Sequence, residues 1–508
     1  MFSSLVDRLK LSVERRFDAE AIVHRGRRIS YGHLWHEVCA LAAFLKERGL
    51  GREARVAILL ENSPEYVAAY YGTLMAGGIA VGLSTATKAR DLVNWLAHSG
   101  ASWVIVDAQH PELDEVMGAA NPMLQFIGVG GDRPLIKPLA RWDDIMATAE
   151  VRPYSFDRLE PEQRAAIIYT SGTTGRPKGV TLSHRNLASN VESILAYLEL
   201  TPEDRCLNVL PFYYSYGASV LHVHLAVGAT LVLENSLVYV HNVVGQMSVE
   251  RITGFSGVPS TYALILSRVQ LHTYDLSCLR YMTQAGGAMA PAHIKRLKEQ
   301  IPHVRFFVMY GQTEATARLA YLPPEKLEQK LGSAGIAIPN VRLEIRDGKG
   351  KEVPRGTVGE IYAHGPNIMA GYWNDSQATA EAIRDGWLRT GDIAYMDEEG
   401  YIFIQGRGSD IIKSGGHRIN PVDIEETIAE IAEVGEVAVV GVDDEILGQT
   451  IKAIVVLRPG AGVSATEIKT HCLRRLPAYK IPKYVEFNAQ LPRTATGKIR
   501  RFLLAARN

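Results

Sequence analysis

Short apolar runs alternate with longer amphipathic segments along most of the chain. The runs RVAILL (residues 55–60), GIAVGL and SWVIVD predict buried strands. The segment SPEYVAAYYGTLMAG begins with the helix-start pair Ser63-Pro64 and ends at a glycine, and PAHIKRLKEQI also has helical spacing. This alternation predicts an α/β fold in which parallel-rich sheets carry helices on both faces.

The pattern changes twice towards the C-terminus. Past Gly332, glycine-punctuated segments such as VRLEIRDGKGKEVPRGTVGEIYAHG predict a small β subdomain. The last hundred residues, with INPVDIEETIAEI, VGEVAVVGV and TIKAIVVL, predict a separate α+β unit. Because 508 residues are enough for more than one domain, we divide the chain into an N-terminal domain, 1–408, and a C-terminal domain, 409–508.

Composition narrows the functional classes. The chain has 55 basic and 55 acidic side chains, so there is no basic excess of the kind that nucleic-acid binders show. Its four cysteines are far apart and form no C-x-x-C pair, which argues against a metal cluster or a disulfide framework and suits a reducing cytoplasm. The first residues are charged, and no apolar stretch reaches 18 residues, so we expect a cytoplasmic protein without a membrane span.

One region departs from this charge balance. From Ile446 to Asn508 the chain has twelve Lys and Arg against two acids, Glu467 and Glu486, a net charge of +10. Such a segment forms either a solvated basic face or a surface for an anionic partner, such as a polyphosphate or an acidic protein.

A loop rich in glycine and hydroxyl groups follows the apolar run AAIIY. The sequence YTSGTTGRPKGV (169–180) has the composition of a phosphate-holding loop, in which backbone N–H groups, hydroxyls and one lysine surround an anion. It is not a P-loop, because Pro177 stands where glycine is required and Gly179, not Ser or Thr, follows Lys178.

Further polar loops follow in a fixed order. They are YGQTE (310–314), RTGDIAY with Asp392 expected in a turn after Gly391, GRGSDIIKSGGHRINP with Arg407, and LPRTATGKIRR with Lys498. Each of these residues alone has an ordinary explanation as a solvated acid, a turn former or a surface charge. Their joint occurrence indicates a single site assembled from distant parts of the chain.

With these motifs the chain resembles the adenylate-forming enzymes, a superfamily that contains acyl-CoA synthetases, adenylation domains of non-ribosomal peptide synthetases and beetle luciferases. The similarity extends from AIVHRGRRISYGHL to PRTATGKIRR and is strongest to the AMP-forming acyl-CoA synthetases. It implies a β-barrel-like subdomain and a C-terminal domain that rotates about a hinge near Ser409 between two half-reactions. In the first, a carboxylate attacks the α-phosphorus of ATP to give an acyl-adenylate, and in the second a thiol displaces AMP.

The resemblance also implies roles for individual residues. The β- and γ-phosphates would be held by Thr170, Ser171, Gly172, Thr173, Thr174, Gly175 and Lys178. Adenine and ribose would lie against Gly286, Gly287, Tyr310, Gly311, Gln312, Asp392 and Arg407. Thr313 would contact the α-phosphate, Glu314 would hold Mg²⁺, and Lys498 would reach the carboxylate and α-phosphate oxygens. Gly415 and Gly416 would line the tunnel through which the thiol enters.

The acyl pocket is expected to contain Tyr214, Ser215, Gly217, Gly257 and Ala285. Tyr214 stands where many acyl-CoA synthetases have His, and Ser215 where amino-acid-activating relatives have Asp. Without that carboxylate an α-ammonium would be buried unpaired, so amino acids are disfavoured. The neighbouring segments are apolar with scattered hydroxyls and favour a hydrophobic acid, aliphatic or aromatic.

Two histidines in VLHVHL, His222 and His224, could suggest a metal site. Spaced by two residues on a predicted helix, they point to different faces, so we expect core or pocket-lining roles instead.

Two hypotheses remain for the thiol that accepts the acyl group. One is free CoA, and the other is the phosphopantetheine arm of a separate acyl carrier protein, for which the +10 segment offers a docking face. A luciferase-type oxygenase shares the adenylate, but nothing in the sequence argues for light chemistry. A non-catalytic binding protein is disfavoured because Lys178, Glu314 and Lys498 are all present.

Overall fold

The structure is a computed structural model. It describes residues 4–131, 140–148, 157–170, 178–407, 410, 412–414, 417–444, 447–493 and 499–505. Within these ranges the predicted α/β fold of parallel-rich sheets is confirmed. The division at residues 408 and 409 stays a prediction, because both residues lie outside the described ranges.

The helices follow the amphipathic segments of the sequence. Helix α3 begins as predicted, since the Ser63 hydroxyl accepts a hydrogen bond from the backbone N–H of Tyr66 and Pro64 opens the first turn. The helices are α1 (Leu5–Arg16), α2 (Tyr31–Glu47), α3 (Pro64–Met75), α4 (Ala89–Ser99), α5 (Leu113–Ala119), α6 (Trp142–Thr148), α7 (His184–Leu198), α8 (Ser215–Val227), α9 (Val240–Val249), α10 (Pro259–Arg268), α11 (Pro291–Gln300), α12 (Ser376–Ala382), α13 (Pro421–Ala429), α14 (Ala465–Leu473) and α15 (Arg501–Ala505).

The strands are short and mostly buried. They are β1 (Glu20–His24), β2 (Arg27–Ser30), β3 (Arg55–Leu59), β4 (Ile79–Gly82), β5 (Ala101–Asp107), β6 (Gln125–Val129), β7 (Ala140–Arg141), β8 (Arg164–Thr170), β9 (Lys178–Ser183), β10 (Arg205–Asn208), β11 (Thr230–Leu233), β12 (Gly254–Gly257), β13 (Tyr281–Gln284), β14 (Arg305–Tyr310), β15 (Ala320–Leu322), β16 (Ile336–Ala337), β17 (Arg342–Arg346), β18 (Gly359–His364), β19 (Gly371–Tyr372), β20 (Ile383–Arg384), β21 (Trp387–Met396), β22 (Ile402–Arg407), β23 (Ile412–Ser414), β24 (His417–Ile419), β25 (Val434–Asp444), β26 (Gly448–Leu457) and β27 (Tyr484–Phe487).

Two large sheets form the centre of the N-terminal part. The first has the order β16-β15-β14-β13-β12-β10-β11-β1-β2, and the second β19-β9-β8-β4-β3-β5-β6-β7. In the first, the strands from β14 to β1 are parallel, and in the second the strands from β8 to β7 are parallel. The carboxyl ends of parallel neighbours meet at one edge, which is where ligands bind in α/β sheets.

One apolar core joins the two sheets. Tyr71 of α3 and Leu221 of α8 belong to the same buried cluster as Ile58 of the second sheet and Leu231 of the first. Each such side chain contributes roughly 1.5–3 kcal/mol by burial. The helices between the sheets therefore fix the relative position of the two edges that carry the polar loops.

Two smaller sheets follow in the chain. Strands β17, β18, β20, β21 and β22 pair antiparallel and form the predicted β subdomain. Strands β23 to β27 form the last sheet, whose apolar side packs against α13 and α14 through Ile424, Ile428 and Ile468.

One local expectation was wrong. Asp392 does not lie in a turn but inside strand β21, where it pairs with Arg407 of β22. Gly391 has a φ of +76°. Near this glycine, β21 shifts its pairing register once with β18 and once with β22. The glycine therefore bends the strand without reversing it, because pairing continues on either side.

A pair of nearby glycines tests how closely the residue before β16 approaches β15 within the first sheet. Gly332 and Gly335 share a φ of +89°, but a Cβ at Gly335 would lie 1.8 Å from the carbonyl oxygen of Tyr321, whereas a Cβ at Gly332 meets nothing within 4 Å. We expect Gly332→Ala to cost about 1–2 kcal/mol in unfolding free energy from its φ alone. Gly335→Ala should cost about 1–3 kcal/mol more because of the clash.

The measurement is the urea midpoint of each purified variant beside the wild type. Equal losses in the two variants would contradict the claim that the Tyr321 carbonyl requires a glycine at position 335.

Candidate active site

The phosphate-type loop is anchored at the carboxyl end of β8. Thr170 ends β8, Lys178 begins β9, and these two residues are direct partners in the antiparallel pairing. The two ends of the loop are therefore held side by side. The predicted residues Ser171, Gly172, Thr173, Thr174 and Gly175 lie outside the described residues, so their contacts with phosphate stay predictions.

A lysine, a tyrosine and a glutamate come together beside this loop. The Lys178 Nζ lies 4.7 Å from the ring centroid of Tyr372, whose hydroxyl donates to Oε1 of Glu314 at 2.9 Å. Burial and the charge of Glu314 raise the pKa of Tyr372, so the phenol stays a donor. The sequence analysis did not select Tyr372, because its contact with Glu314 joins residues 58 positions apart.

The turn after β14 contacts the start of α8. Thr313 and Glu314 form a short 3₁₀ turn, and the Thr313 Oγ1 lies 3.1 Å from the Ser215 Oγ. Tyr214 precedes α8 and is half-buried. This contact brings the predicted α-phosphate residue next to the predicted acyl pocket.

A second carboxylate is held by a tyrosine and an arginine. The Tyr310 hydroxyl donates to Oδ2 of Asp392 at 2.6 Å, and Arg407 Nε donates to Oδ1 at 3.1 Å. Burial and the Asp392 charge raise the pKa of Tyr310. Burial works against the charge of Arg407, but Asp392 and Glu314 outweigh it and keep the pKa of Arg407 above its usual value. Three of the predicted ribose and adenine residues, Tyr310, Asp392 and Arg407, therefore form one connected group.

The two glycines predicted to face adenine follow β13, the neighbour of the strand that ends at Tyr310. Gly286 follows β13 with a φ of +90°, a conformation that favours glycine, and Gly287 accepts a hydrogen bond from Gln284 Nε2 at 2.7 Å. The Gln312 Nε2 is buried and has no hydrogen-bond partner among the described residues. A buried donor without a protein partner fits a ligand that supplies acceptor oxygens.

Other predicted glycines have a packing explanation. A Cβ at Gly217 would lie 2.1 Å from the Pro211 carbonyl oxygen, and one at Gly311 would lie 2.1 Å from that of Ala317. A Cβ at Gly257 would lie 3.0 Å from the Thr261 side chain, a milder contact, and Ala285 is buried. Their contacts with substrate stay predictions.

The acyl pocket region contains a connected polar network that the sequence analysis missed. The Tyr216 hydroxyl donates to the Thr283 carbonyl at 3.0 Å, and the Thr283 Oγ1 lies 2.8 Å from the Ser256 Oγ. The Arg318 guanidinium lies 4.8 Å from the centroid of the Tyr216 ring and donates to Ser219. The scattered hydroxyls seen in the sequence are thus joined, and the ring of Tyr216 is fixed in one orientation.

The turn that carries Glu314 is strained. Thr316 has a φ of +65°, which is rare for a β-branched residue, and its hydroxyl donates to the Asn367 carbonyl at 2.7 Å. The Asn367 side chain donates to the carbonyls of Ala315 and Arg318, at 3.2 and 2.9 Å. A segment remote in sequence therefore maintains the strained turn.

The two histidines of α8 occupy the core, as predicted. Nδ1 of His222 lies 3.1 Å from the Tyr71 hydroxyl, and Nε2 of His224 lies 2.7 Å from that of Tyr281. Burial lowers the pKa of His222 to about 3 and that of His224 to about 4, so both rings are neutral. No group of three His, Cys, Asp or Glu that could hold a metal ion occurs in the described part of the chain.

The roles predicted for four residues of the C-terminal part stay predictions. Ser409, Gly415, Gly416 and Lys498 lie outside the described residues.

The basic segment after Ile446 is paired extensively within its own domain. Its basic side chains form ion pairs with acids from residues 410–444: Arg475 with Glu430, Lys483 with Asp444, Arg493 with Glu436, and Arg501 with Glu425. Much of the positive charge counted from the sequence is therefore balanced locally, and it offers less to an acidic partner than the +10 suggests.

Comparison with known proteins agrees with this geometry. The profile of the AMP-binding enzyme family matches residues 9–373, and that of the AMP-binding enzyme C-terminal domain matches residues 423–498. The chain belongs to the AMP-binding enzyme family, which confirms the resemblance drawn from the motifs. None of the helices in the described ranges is long and apolar enough to cross a membrane.

Individual relatives are acyl-CoA or aryl-CoA ligases. The chain is 32% identical to a long-chain-fatty-acid–CoA ligase of Bacillus subtilis, with 96% of this chain and 92% of that protein covered. The crystal structure of the anthranilate CoA ligase AuaEII in complex with anthranoyl-AMP matches with a TM-score of 0.92 and 28% identity, over 99% of this chain and 96% of that one. ATP-bound MatB from Rhodopseudomonas palustris matches with a TM-score of 0.90 and 30% identity, over 99% and 98%.

The Asn367 contacts generate a prediction about the strained turn. Asn367→Ala removes two side-chain hydrogen bonds, to the carbonyls of Ala315 and Arg318, each contributing about 0.5–1.5 kcal/mol, so we expect a loss of about 1–3 kcal/mol in unfolding free energy and weaker ATP-dependent turnover. The matched control is Asn190→Ala, because Asn190 donates only to the Arg318 carbonyl, which Asn367 also serves.

Both variants are measured by urea unfolding and by ATP-dependent activity per folded molecule. If Asn367→Ala loses stability but keeps full activity, the turn geometry does not depend on this side chain.

Proposed function

We propose that the protein is an AMP-forming acid–CoA ligase that converts a carboxylic acid to an acyl-adenylate and then to a CoA thioester. The observation that supports this most directly is the connected group Tyr310, Asp392 and Arg407 beside the Thr313–Glu314 turn. In a member of the AMP-binding enzyme family, these side chains provide a ring face, a ribose acceptor and an α-phosphate donor.

The first half-reaction moves negative charge onto phosphate. A carboxylate oxygen of the acid bonds to the α-phosphorus of ATP, and pyrophosphate leaves with the electron pair of the broken P–O bond. Fixed donors are the main source of catalysis in such a step. Thr313 would donate to the α-phosphate, and Lys178 would attract the leaving pyrophosphate from the base of the loop.

Glu314 suits a role in holding Mg²⁺. In the described residues its carboxylate accepts one side-chain hydrogen bond, from Tyr372, and a neutral phenol leaves its negative charge intact. A single carboxylate combined with substrate phosphates is a common way for proteins to bind this ion. Bound Mg²⁺ would neutralise charge that develops on the phosphate oxygens.

The acid is proposed to be hydrophobic, aliphatic or aromatic. Ser215 supplies no carboxylate for an α-ammonium, and Tyr214 and the half-buried Tyr216 add aromatic surface at the start of α8. Among similar proteins, one is named for long-chain fatty acids and another for anthranilate. Both substrate types agree with such a pocket.

CoA is the favoured thiol over a carrier protein. Similar proteins include CoA ligases, and the basic segment that could dock an acidic carrier is largely paired within its domain. For this step we propose that the C-terminal domain rotates near Ser409 so that Gly415 and Gly416 line the thiol tunnel. We also place the reaction in the cytoplasm, since Cys39, Cys206, Cys278 and Cys472 are free thiols.

The proposal is tested by mass spectrometry of reactions that contain ATP, Mg²⁺ and a pool of carboxylic acids. Hydroxylamine traps an acyl-adenylate as a hydroxamate, so hydroxamates are expected without CoA and acyl-CoA with it. Hydroxamates without acyl-CoA would show that the protein makes the adenylate but does not use CoA, which would favour a ligase that loads a carrier protein. The absence of hydroxamates from a broad pool would contradict the proposed adenylation.

A further prediction separates the half-reactions. Lys498→Ala removes a charge that we expect only adenylation to use, so formation of adenylate from free acid should fall by about 10²–10³-fold, as for loss of one transition-state donor. Transfer from a supplied acyl-adenylate to CoA should change little.

Arg500→Ala, two residues further on, is the matched control and should leave both rates near wild type. Equal loss of both half-reactions in Lys498→Ala would show that the lysine is not specific to the first.

A further inference from the structure

A second cavity lies apart from the candidate active site. It has a volume of about 350 Å³ and lies between α2, the first turn of α3 and the start of α6. Glu37, Glu65, Arg27 and Asp143 provide its polar groups, and Trp142 and Met146 part of its apolar wall. A volume of this size suits a small molecule.

The cavity opens at the same sheet edge as the nucleotide loop, but at some distance from it. Val129, at the carboxyl end of β6, lines the cavity, and β6 is four strands from β8 in the second sheet. At about 4.8 Å between neighbouring strands, the two positions are about 19 Å apart. A ligand here would not contact the residues proposed for ATP.

Glu37 is the unusual group in this cavity. Its exposed fraction is only 6%, yet its Oε2 atom has no hydrogen-bond partner in the described structure. Its other oxygen, Oε1, lies 3.4 Å from Nε2 of His33. A buried carboxylate oxygen without a donor is costly, so such a group needs an explanation in a native fold.

The neighbouring charges do not provide the missing donor. Arg27, the one guanidinium among the lining residues, donates to Glu65 at 2.8 Å. Asp143, at the mouth of the cavity, has a side chain that is 72% exposed and lies 4.0 Å from Arg141. The lining thus carries three carboxylates against one guanidinium that is already paired. The cavity is complementary to a positive charge.

The apolar walls of the cavity favour a ligand that has a hydrocarbon part. Trp142 is 3% exposed, and Met146 lies one turn further along α6. An indole and a thioether favour the apolar part of an organic cation, and an aromatic ring attracts positive charge at its face.

We propose that this cavity binds a small alkylammonium ion, whose N–H donates to Oε2 of Glu37 and whose carbon chain lies against Trp142 and Met146. The site is independent of the proposed function, because it shares no residue with the candidate active site. A bare divalent metal is disfavoured, since no three His, Cys, Asp or Glu side chains of the described residues, these three carboxylates included, are placed so that they could hold one ion together.

The electrostatics of Glu37 agree with the proposal. Burial, followed by the charge of Glu65, raises the pKa of Glu37 to about 7. At neutral pH the carboxyl group is therefore close to its protonation equilibrium, and a bound cation would favour its charged form.

Isothermal titration calorimetry with propylammonium chloride tests the proposal on the full-length protein. The active site is first filled with a non-reactive acyl-adenylate analogue, so that binding there cannot be mistaken for binding in the cavity. We expect one propylammonium per chain. Tetramethylammonium, with the same charge but no N–H donor, and calcium chloride should both bind at least tenfold more weakly. Absence of propylammonium binding, or equal binding of tetramethylammonium, would overturn the proposal.

Variants locate the site. Glu37→Gln keeps the shape of the side chain and removes its charge, so we expect at least tenfold weaker binding with no drop in the thermal unfolding midpoint. Glu328→Gln, on an exposed surface residue, is the matched control and should bind as the wild type does. Unchanged affinity in Glu37→Gln would overturn the assignment.

A second variant keeps the test informative if Glu37→Gln folds poorly. Met146→Lys places a tethered ammonium at the cavity wall, where it should occupy the proposed position. We expect it to abolish propylammonium binding and to raise the unfolding midpoint. Retained binding in Met146→Lys would contradict the proposed location.

Discussion

The candidate active site depends on one strained turn. Glu314 and Arg318 are separated by Thr316, whose φ of +65° is costly for a β-branched residue. The turn persists because Asn367 satisfies three of its backbone and hydroxyl groups at once. Without this support, relaxation at Thr316 would redirect the Glu314 carboxylate, and the side chains on either side of the turn would lose their common orientation.

This constraint connects three parts of the chain that are distant in sequence. At the start of the turn, Thr313 contacts Ser215 of α8. The next residue, Glu314, accepts a hydrogen bond from Tyr372 of β19. After the turn, Arg318 lies against the ring of Tyr216. The start of α8, the turn and β19 of the second sheet therefore meet through two hydrogen bonds and one ring contact, and their relative position follows from the turn rather than from any one motif.

Sequence patterns revealed the parts of this arrangement that depend on local chemistry. The strand at residues 55–59, the helix capped by Ser63 and the core positions of His222 and His224 follow from periodicity and capping. The partners Tyr372, Asn367 and Arg318 were missed because each acts through a contact made far along the chain. Asp392 was placed in a turn because Gly391 precedes it, but strand pairing overrode that local signal. Likewise, the net charge of +10 was counted from Ile446 onwards, and the acids that pair with these basic side chains precede Ile446 in the sequence.

The two site carboxylates illustrate why tyrosine partners suit a nucleotide site. Asp392 accepts from Tyr310 and Glu314 accepts from Tyr372, and both phenols have raised pKa values and stay neutral. A neutral donor satisfies one oxygen of a part-buried carboxylate without cancelling its charge, whereas a bidentate ion pair would occupy both oxygens. Glu314 thus keeps its second oxygen as an acceptor for a hard cation, whereas Asp392 has Tyr310 on one oxygen and Arg407 on the other, and a ribose hydroxyl would use a further lone pair.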